Sequence, residues 1–561
     1  MFPKLSKLIL IIILSYQTPL YSKSASFNEF NSRNLSNYFS GIVAFENKNN
    51  SKALDFFNSS KILINKHDPY LKKYVYSLVL ENKVSQAINI ITNNKDKNNS
   101  NFFDAHLLLI LDSLKKNDLE RAYSILNYTD NFTKKDRFTL AILESLKQYV
   151  YVFKEKKILN NKKNLGKLSV ISETFQRCFL EDRNTDAYFL RLINDLEADY
   201  TRYIFFYLSY LIDSKKISDA QKIANDIKYI NTTLLLSQAK NWIENGSSEK
   251  LTKVFSCKNH NDVISEFLFL ISNLYSSQDD FEKSNYYLNL SYFLNSKFKF
   301  NLSLVAENQF LNGEYKKTKK TLQNFKKDDQ FYYWYRVKKE AQIIAKQRNK
   351  KESLNYITAE FNKISEPNNK ILFDIANFYK NSKEYEKAIE YYTKVIERLN
   401  YDDEIKSDLY YRRGGSFERI GEYEKADKDL LRSLKINSDD AYVLNYLAYS
   451  WLERNYKINK AIEMLEEAYS LENSDPYIID SIGWAYYLIN DFIKAENFMR
   501  RAVEIMPDDP IVNDHYGDIL WKLNRKIQAR YFWTNVLKMD DAEEEMLKKI
   551  NIKIIEGLKN S

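Results

Sequence analysis

Glycine and proline are scarce, with 10 and 7 residues in a chain of 561. A chain so poor in turn residues cannot punctuate a β-sandwich or a barrel, nor build Gly-rich loops that cradle phosphates. Neither a Walker loop, a G-x-S-x-G elbow nor an H-E-x-x-H helix occurs, which removes the signatures of the commonest nucleotide-binding and hydrolytic sites. Gly414, Gly415 and Gly421 do not make a dinucleotide turn. There are only four histidines, His67, His106, His260 and His515, and two cysteines, Cys178 and Cys257. An oxidising compartment would permit the cysteines to pair, but the expectation is two buried, unpaired thiols. Cys257 and His260 have a metal-ligand spacing with no further ligands spaced to complete a site. No catalytic residue, cofactor or metal site is expected.

Charge of one sign is also lacking. The net charge is +9 from 84 basic and 75 acidic residues, and the two signs alternate in stretches such as KEYEKAIEYY, as on solvated helix faces. What is abundant is aromatic: 43 Tyr, 34 Phe and 6 Trp, residues suited to helix packing and to protein-binding surfaces.

The first residues have the layout of a secretory signal. Lys4 and Lys7 precede an apolar run from Leu8 to Leu14, and Pro19 is followed by the small residues Ser22, Ser24 and Ala25. Residues 1–22 are expected to be a signal peptide that delivers the chain to the periplasm, with an uncleaved anchor as the alternative. No cysteine lies there for lipid attachment.

Internal repetition organises the rest. In PYIIDSIGWAYYLINDFIKAENFMRRAVEIMP, counting Pro476 as position 1, Ile482, Gly483, Tyr486, Ala495, Met499, Ala502 and Pro507 stand at positions 7, 8, 11, 20, 24, 27 and 32. This resembles the tetratricopeptide repeat (TPR) at every defining position. The pattern places small residues at 8 and 20 so that two short antiparallel helices approach closely, and large ones at 7, 11 and 24 to fill the gaps. The position-20 residue recurs as Ser284, Thr318, Ser353, Ala388, Ala426, Ala461, Ala495 and Ala529, at intervals of 34 to 38 residues. Ala53, Ala87 and Ala122 continue the stride near the N-terminus, and Ala220 and the weak candidate Leu251 fill part of the middle.

The expected fold is therefore all-α, a TPR-type α-solenoid that forms a right-handed superhelix of about 13 units. Degenerate repeats occupy 23–135 and the main array 201–541. Residues 136–200 lose the period and read as a divergent helical insert and hinge, with an exposed loop near Asn160–Gly166. Residues 542–561 read as an amphipathic helix capping the stack. Each repeat is expected to touch only its neighbours, which keeps the four histidines apart.

Resemblance to the TPR family assigns the concave face to positions 2, 5, 9, 12 and 13. In the last three repeats these include Tyr442, Asn445 and Tyr449; Tyr477, Asp480, Trp484 and Tyr487; and Asp514, Asp518 and Trp521. They are expected to form a protein-binding trough in which rings supply anchors and carboxylates pair with a partner's Lys or Arg. The two-carboxylate clamp of chaperone-binding TPRs is missing, since Gly415, Tyr449, Trp484 and Asp518 follow position 8.

The C-terminal 150 or so residues, with DSIGW and NDHYGD followed by Trp, also resemble a proteobacterial envelope TPR family. One branch of it consists of outer-membrane lipoproteins that bind and activate a carboxy-terminal processing protease and deliver peptidoglycan hydrolases to it. The resemblance implies a non-enzymatic scaffold or adaptor with protein partners. A nucleic-acid reading would rest on Lys316, Lys317, Lys319, Lys320, Lys326 and Lys327 beside FYYWY at 331–335; a solvated helix face followed by a core stripe is the favoured account.

Overall fold

The computed structural model describes residues 32–64, 67–94, 100–129, 137–160, 163–195, 199–230, 232–400 and 404–558. The expected signal at 1–22 and part of the loop near residue 160 lie outside them. The described residues form thirty α-helices and no strand, an all-α TPR-type solenoid architecture. None of these helices is long and apolar enough to cross a membrane.

Backbone conformation makes the repeat explicit. Left-handed residues recur at the turn inside most helix pairs, among them Lys48, Asn82, Asn117, Lys215, Asp279, Gly313, Lys383, Gly421, Asn490 and Asn524. Each stands five residues before the small residue of its repeat, from Ala53 to Ala529. A left-handed residue ends the first helix and reverses the chain, and the small residue then lets the second helix close on the first. All the small residues named from the sequence stride are buried, most at zero exposure. Glycine is required at position 8 of the last repeat, because a Cβ on Gly517 would fall within the Trp533 indole. At Gly483 the Cβ would lie 3.1 Å from Met499 Cε, tighter than ordinary contact.

The chain divides into two compact units, Met1–Lys228 with Thr232–Arg336, and Tyr229–Asn231 with Val337–Ser561. Residues 136–200 thus lie inside the first unit rather than between two arrays. Within them Arg137–Glu155 is a long helix, while Lys167–Phe179 and Thr185–Ile193 form a pair with a left-handed turn at Glu181. That pair is a repeat whose signature is hidden. Its small buried residue is Thr185, four residues before the buried Phe189, and the neighbouring Asp186 accepts from Tyr207 Oη at 3.1 Å and from Lys216 Nζ at 2.5 Å.

The first unit departs from neighbour-only stacking. Its N-terminal repeats pack on the pair His260–Ser276 and Phe281–Leu294. Asn289 Nδ2 donates to the Val79 and Leu80 carbonyls at 2.9 and 3.1 Å. Lys115 Nζ donates to the carbonyls of Phe293 and Leu294, His260 Nε2 lies 2.9 Å from the Leu114 carbonyl, and Tyr76 stacks on Tyr286. Side chains on these repeats satisfy the open C-terminal carbonyls of helices far away in sequence.

Cys178 and Cys257 form a disulfide, which corrects the expectation of two unpaired thiols. Helix pairs 79 residues apart are brought together by the core, a proximity that sequence spacing does not reveal. The bond also takes the Cys257 sulfur out of any metal site.

Candidate functional site

Three first helices, Ala441–Glu453, Pro476–Leu488 and Pro510–Lys522, carry the residues of the expected trough. Each starts from the same cap. Asp440, Asp475 and Asp509 accept from two backbone N–H groups at the helix start, at 2.9 to 3.2 Å. Pro476 and Pro510 occupy the first turn, where a missing N–H costs nothing. The shared cap fixes a shared register, so equivalent positions line up from repeat to repeat.

The centre of the site is Trp484. Its ring stacks on Tyr487 of the same helix at 4.6 Å and 15°, and on His515 of the next repeat at 4.0 Å and 14°. Its Nε1 donates to Glu453 Oε1 of the preceding repeat at 3.2 Å. One indole therefore bridges three repeats while remaining partly open to solvent. Tyr449 and Tyr487 are half-buried beside it, and burial raises both phenols. Tyr442 and Tyr477 are the most open rings, at 53% and 58% exposure. Asn445 is half-buried, and its Oδ1 has no hydrogen-bond partner within the protein.

His515 is the residue the sequence reading missed. Its Nδ1–H donates to Asp480 at 3.0 Å, with both side chains buried. Burial lowers the imidazole pKa, but Asp480, Asp514 and Asp518 together outweigh it and the net shift is upward. Within the sequence the signal was the pair DSIGW and NDHYGD themselves. The structure joins them as one unit, with the Asp and Trp of the first motif holding the His of the second. Asp480 is thus committed to His515 rather than open to a partner's cation.

The far end of the expected trough is filled by the chain itself. Lys553, on the last helix Glu544–Glu556, places Nζ 2.6 Å from Asp514 and 2.8 Å from Asp518. Trp533 Nε1 donates to Asp518 at 3.0 Å. Burial pushes the Asp518 carboxyl above the usual range, with Lys553 pulling against it. Trp521 packs against Trp533 at 5.4 Å, with Arg530 and Lys526 over its ring. Gly557 closes on its indole in a left-handed conformation where a Cβ would clash. The expectation that Asp514, Asp518 and Trp521 await a partner is corrected on this point: buried carboxylates require a counter-charge, and the last helix supplies it. Lys553→Ala is expected to leave two carboxylates short of their cation, loosening the last helix by about 1.5–3 kcal/mol. Hydrogen exchange should rise across 544–556 while residues 441–488 keep their protection. Unchanged exchange there would mean that Ile550 and its apolar neighbours alone hold the helix.

Other candidates find structural duties. Phe331, Tyr332, Tyr333 and Trp334 are buried, so they offer no stacking platform for bases beside the lysines, and Lys317 pairs with Glu314. Among the described residues no cluster of three or more His, Cys, Asp or Glu side chains could hold a metal ion.

Comparison with known proteins agrees with the repeat architecture. The tetratricopeptide repeat family model matches residues 370–398 and 407–440. A TPR repeat-containing protein of Pseudomonas aeruginosa is 31% identical over 111 residues, which is 20% of this chain and 19% of that protein. The chain therefore spans about a fifth of the length of that curated relative. Among solved structures, a tetratricopeptide repeat protein from Parabacteroides merdae aligns over 46% of this chain and 98% of its own, at 16% identity and TM-score 0.38. The pilF protein of Pseudomonas aeruginosa aligns over 34% of this chain and 85% of its own, at 18% identity and TM-score 0.29.

Proposed function

We propose that this tetratricopeptide-repeat chain is a non-enzymatic scaffold of the cell envelope that binds partner proteins along the first helices of its last repeats. TPR proteins generally mediate protein–protein interaction. The observation that carries the reading here is the Glu453–Trp484–His515 ladder. A large, partly open aromatic is fixed from three sides, so little conformational freedom remains to be lost when a partner covers it. Tyr487 stacks on it, and Tyr442, Asn445 and Tyr449 lie on the first helix of the preceding repeat. Asp514, Asp518 and Trp521 complete the wall through the last helix.

An exported location is supported by the signal-like start and by the Cys178–Cys257 bond, since disulfides persist in oxidising compartments. A narrower reading follows from the DSIGW and NDHYGD resemblance. In it the chain is an adaptor that activates, or delivers substrates to, a carboxy-terminal processing protease or a peptidoglycan hydrolase.

The test is crosslinking and capture from the envelope with wild type and Trp484→Ala. Trp484→Ala should weaken partner binding by about 2–4 kcal/mol with helicity nearly unchanged. Loss of helical signal in that variant would make Trp484 a core residue, and equal capture by both proteins would move the binding face elsewhere. Recovery of a processing protease or wall hydrolase by wild type alone would select the narrower reading.

A further inference from the structure

Six exposed apolar side chains flank three successive inter-repeat turns of the second unit. Ile436 and Tyr442 flank the first, Leu471 and Tyr477 the second, Ile505 and Ile511 the third, each 39% to 58% exposed. The two members of each pair end one repeat and begin the next, and the pairs recur at a stride of 34 to 35 residues. The preceding repeat has Arg398 and Asp408 at the same two positions. The row is therefore a property of these turns and not of the repeat.

Charge is reversed along the same edge. The three turns hold Asp439 and Asp440, Glu472 and Asp475, and Asp508 and Asp509, with no Lys or Arg between the flanking apolar residues. They do so in a chain whose net charge is +9. Asp475 on the next turn faces the Tyr442 phenol and raises its pKa, with burial and then Glu472 adding to the rise, so acid and ring are interleaved along the row. Anionic lipid and nucleic acid are repelled by such an edge.

We propose that this edge docks a cationic, apolar segment of a partner protein, one apolar residue seated at each turn with Lys or Arg between. The inference deepens the scaffold reading, on which it rests, by naming the partner's chemistry. Stacked helices advance by roughly 8–10 Å. An extended polyproline-II segment returns to the same face every three residues, about 9.3 Å, so one apolar residue in three keeps step with the repeats.

The probe is a synthetic peptide of about 18 residues with Leu at every third position and Lys between, and its twin with Glu for Lys. Binding is read by fluorescence anisotropy at two salt concentrations. Wild type should bind the Lys peptide at least tenfold more tightly than the Glu peptide. Asp439→Asn with Glu472→Gln and Asp508→Asn, which spares the capping aspartates, should lose about tenfold and flatten the salt dependence. Tyr442→Ser with Tyr477→Ser and Ile511→Ser should lose at least as much at both salts. Equal binding of the two peptides, or indifference to either triple variant, overturns the proposal. A dimer of the free chain that dissociates in the Ser variant overturns it also, assigning the edge to a second copy. Trp484→Ala is carried in parallel with envelope capture as its readout. If capture needs Trp484 while the peptide ignores the edge, only this inference falls; if the peptide binds the edge and capture ignores Trp484, the ladder reading falls alone.

Discussion

Arg202→Met is expected to destabilise the first unit by about 3–5 kcal/mol, because it strands a buried carboxylate. Arg202 opens the helix Arg202–Asp213 and forks onto Glu266, with Nε to Oε1 at 2.8 Å and Nη2 to Oε2 at 2.7 Å. Nη2 also donates to Asn301 at 3.0 Å, and the guanidinium lies 3.7 Å from the Phe269 ring centroid. Glu266 is 2% exposed. Burial raises its pKa and Arg202 works against that rise. Without the arginine the rise is unopposed. An unfolded chain then ionises Glu266 at lower pH than the folded one, so the loss should grow as pH rises above the ordinary glutamate value and fade as pH falls toward it. Adding Glu266→Gln to Arg202→Met should recover most of the stability at pH 7, since replacing both charges is far cheaper than removing one. Urea unfolding of the single and double variants reads the result. A double variant no better than the single would show that the aromatic contacts of Arg202, not its charge, were being measured.

That pair also marks where the sequence stops being informative. The repeat was legible because its cause is local: a small residue five positions after a left-handed turn, at a regular stride. Ala53 through Ala529 could be named without coordinates for that reason. The repeat around Glu181 was not legible, because its small residue Thr185 comes 63 residues after Ala122, with no repeat signature between, and only four after the left-handed turn. The packing of the N-terminal repeats on residues 260–294 was invisible too, since Asn289 and Lys115 reach backbone carbonyls and carbonyls carry no sequence signal. On the candidate face the stride places the rings on successive first helices. Their partners were not legible: the stride gives the helix and the face, whereas His515 beneath Trp484 and Lys553 on Asp518 depend on what lies across from it. The edge turns repeat the lesson from the other side, since their apolar pairs stand in the sequence yet only exposure separates them from core.

Loss of the Cys178–Cys257 bond is expected to lower the stability of the first unit by about 2–5 kcal/mol, since a long closed loop restricts the unfolded chain strongly. The cysteines are 79 residues apart, and their exposures of 1% and 4% put the bond inside the core, where a reductant reaches it only through opening. The double variant Cys178→Ala with Cys257→Ala should therefore show an earlier transition for the first unit and an unchanged one for the second, which contains no cysteine. Two-state treatment of the whole chain would blur this, so each unit needs its own probe, such as hydrogen exchange at Phe175 and at Trp451. The same bond tests the compartment. Protein recovered from the envelope under non-reducing, alkylating conditions should take up no label after denaturation, while protein made in a reducing cytoplasm should take up two. Two labels on the envelope protein would show that the thiols stay reduced there, and the argument for an oxidising location would lose its covalent support.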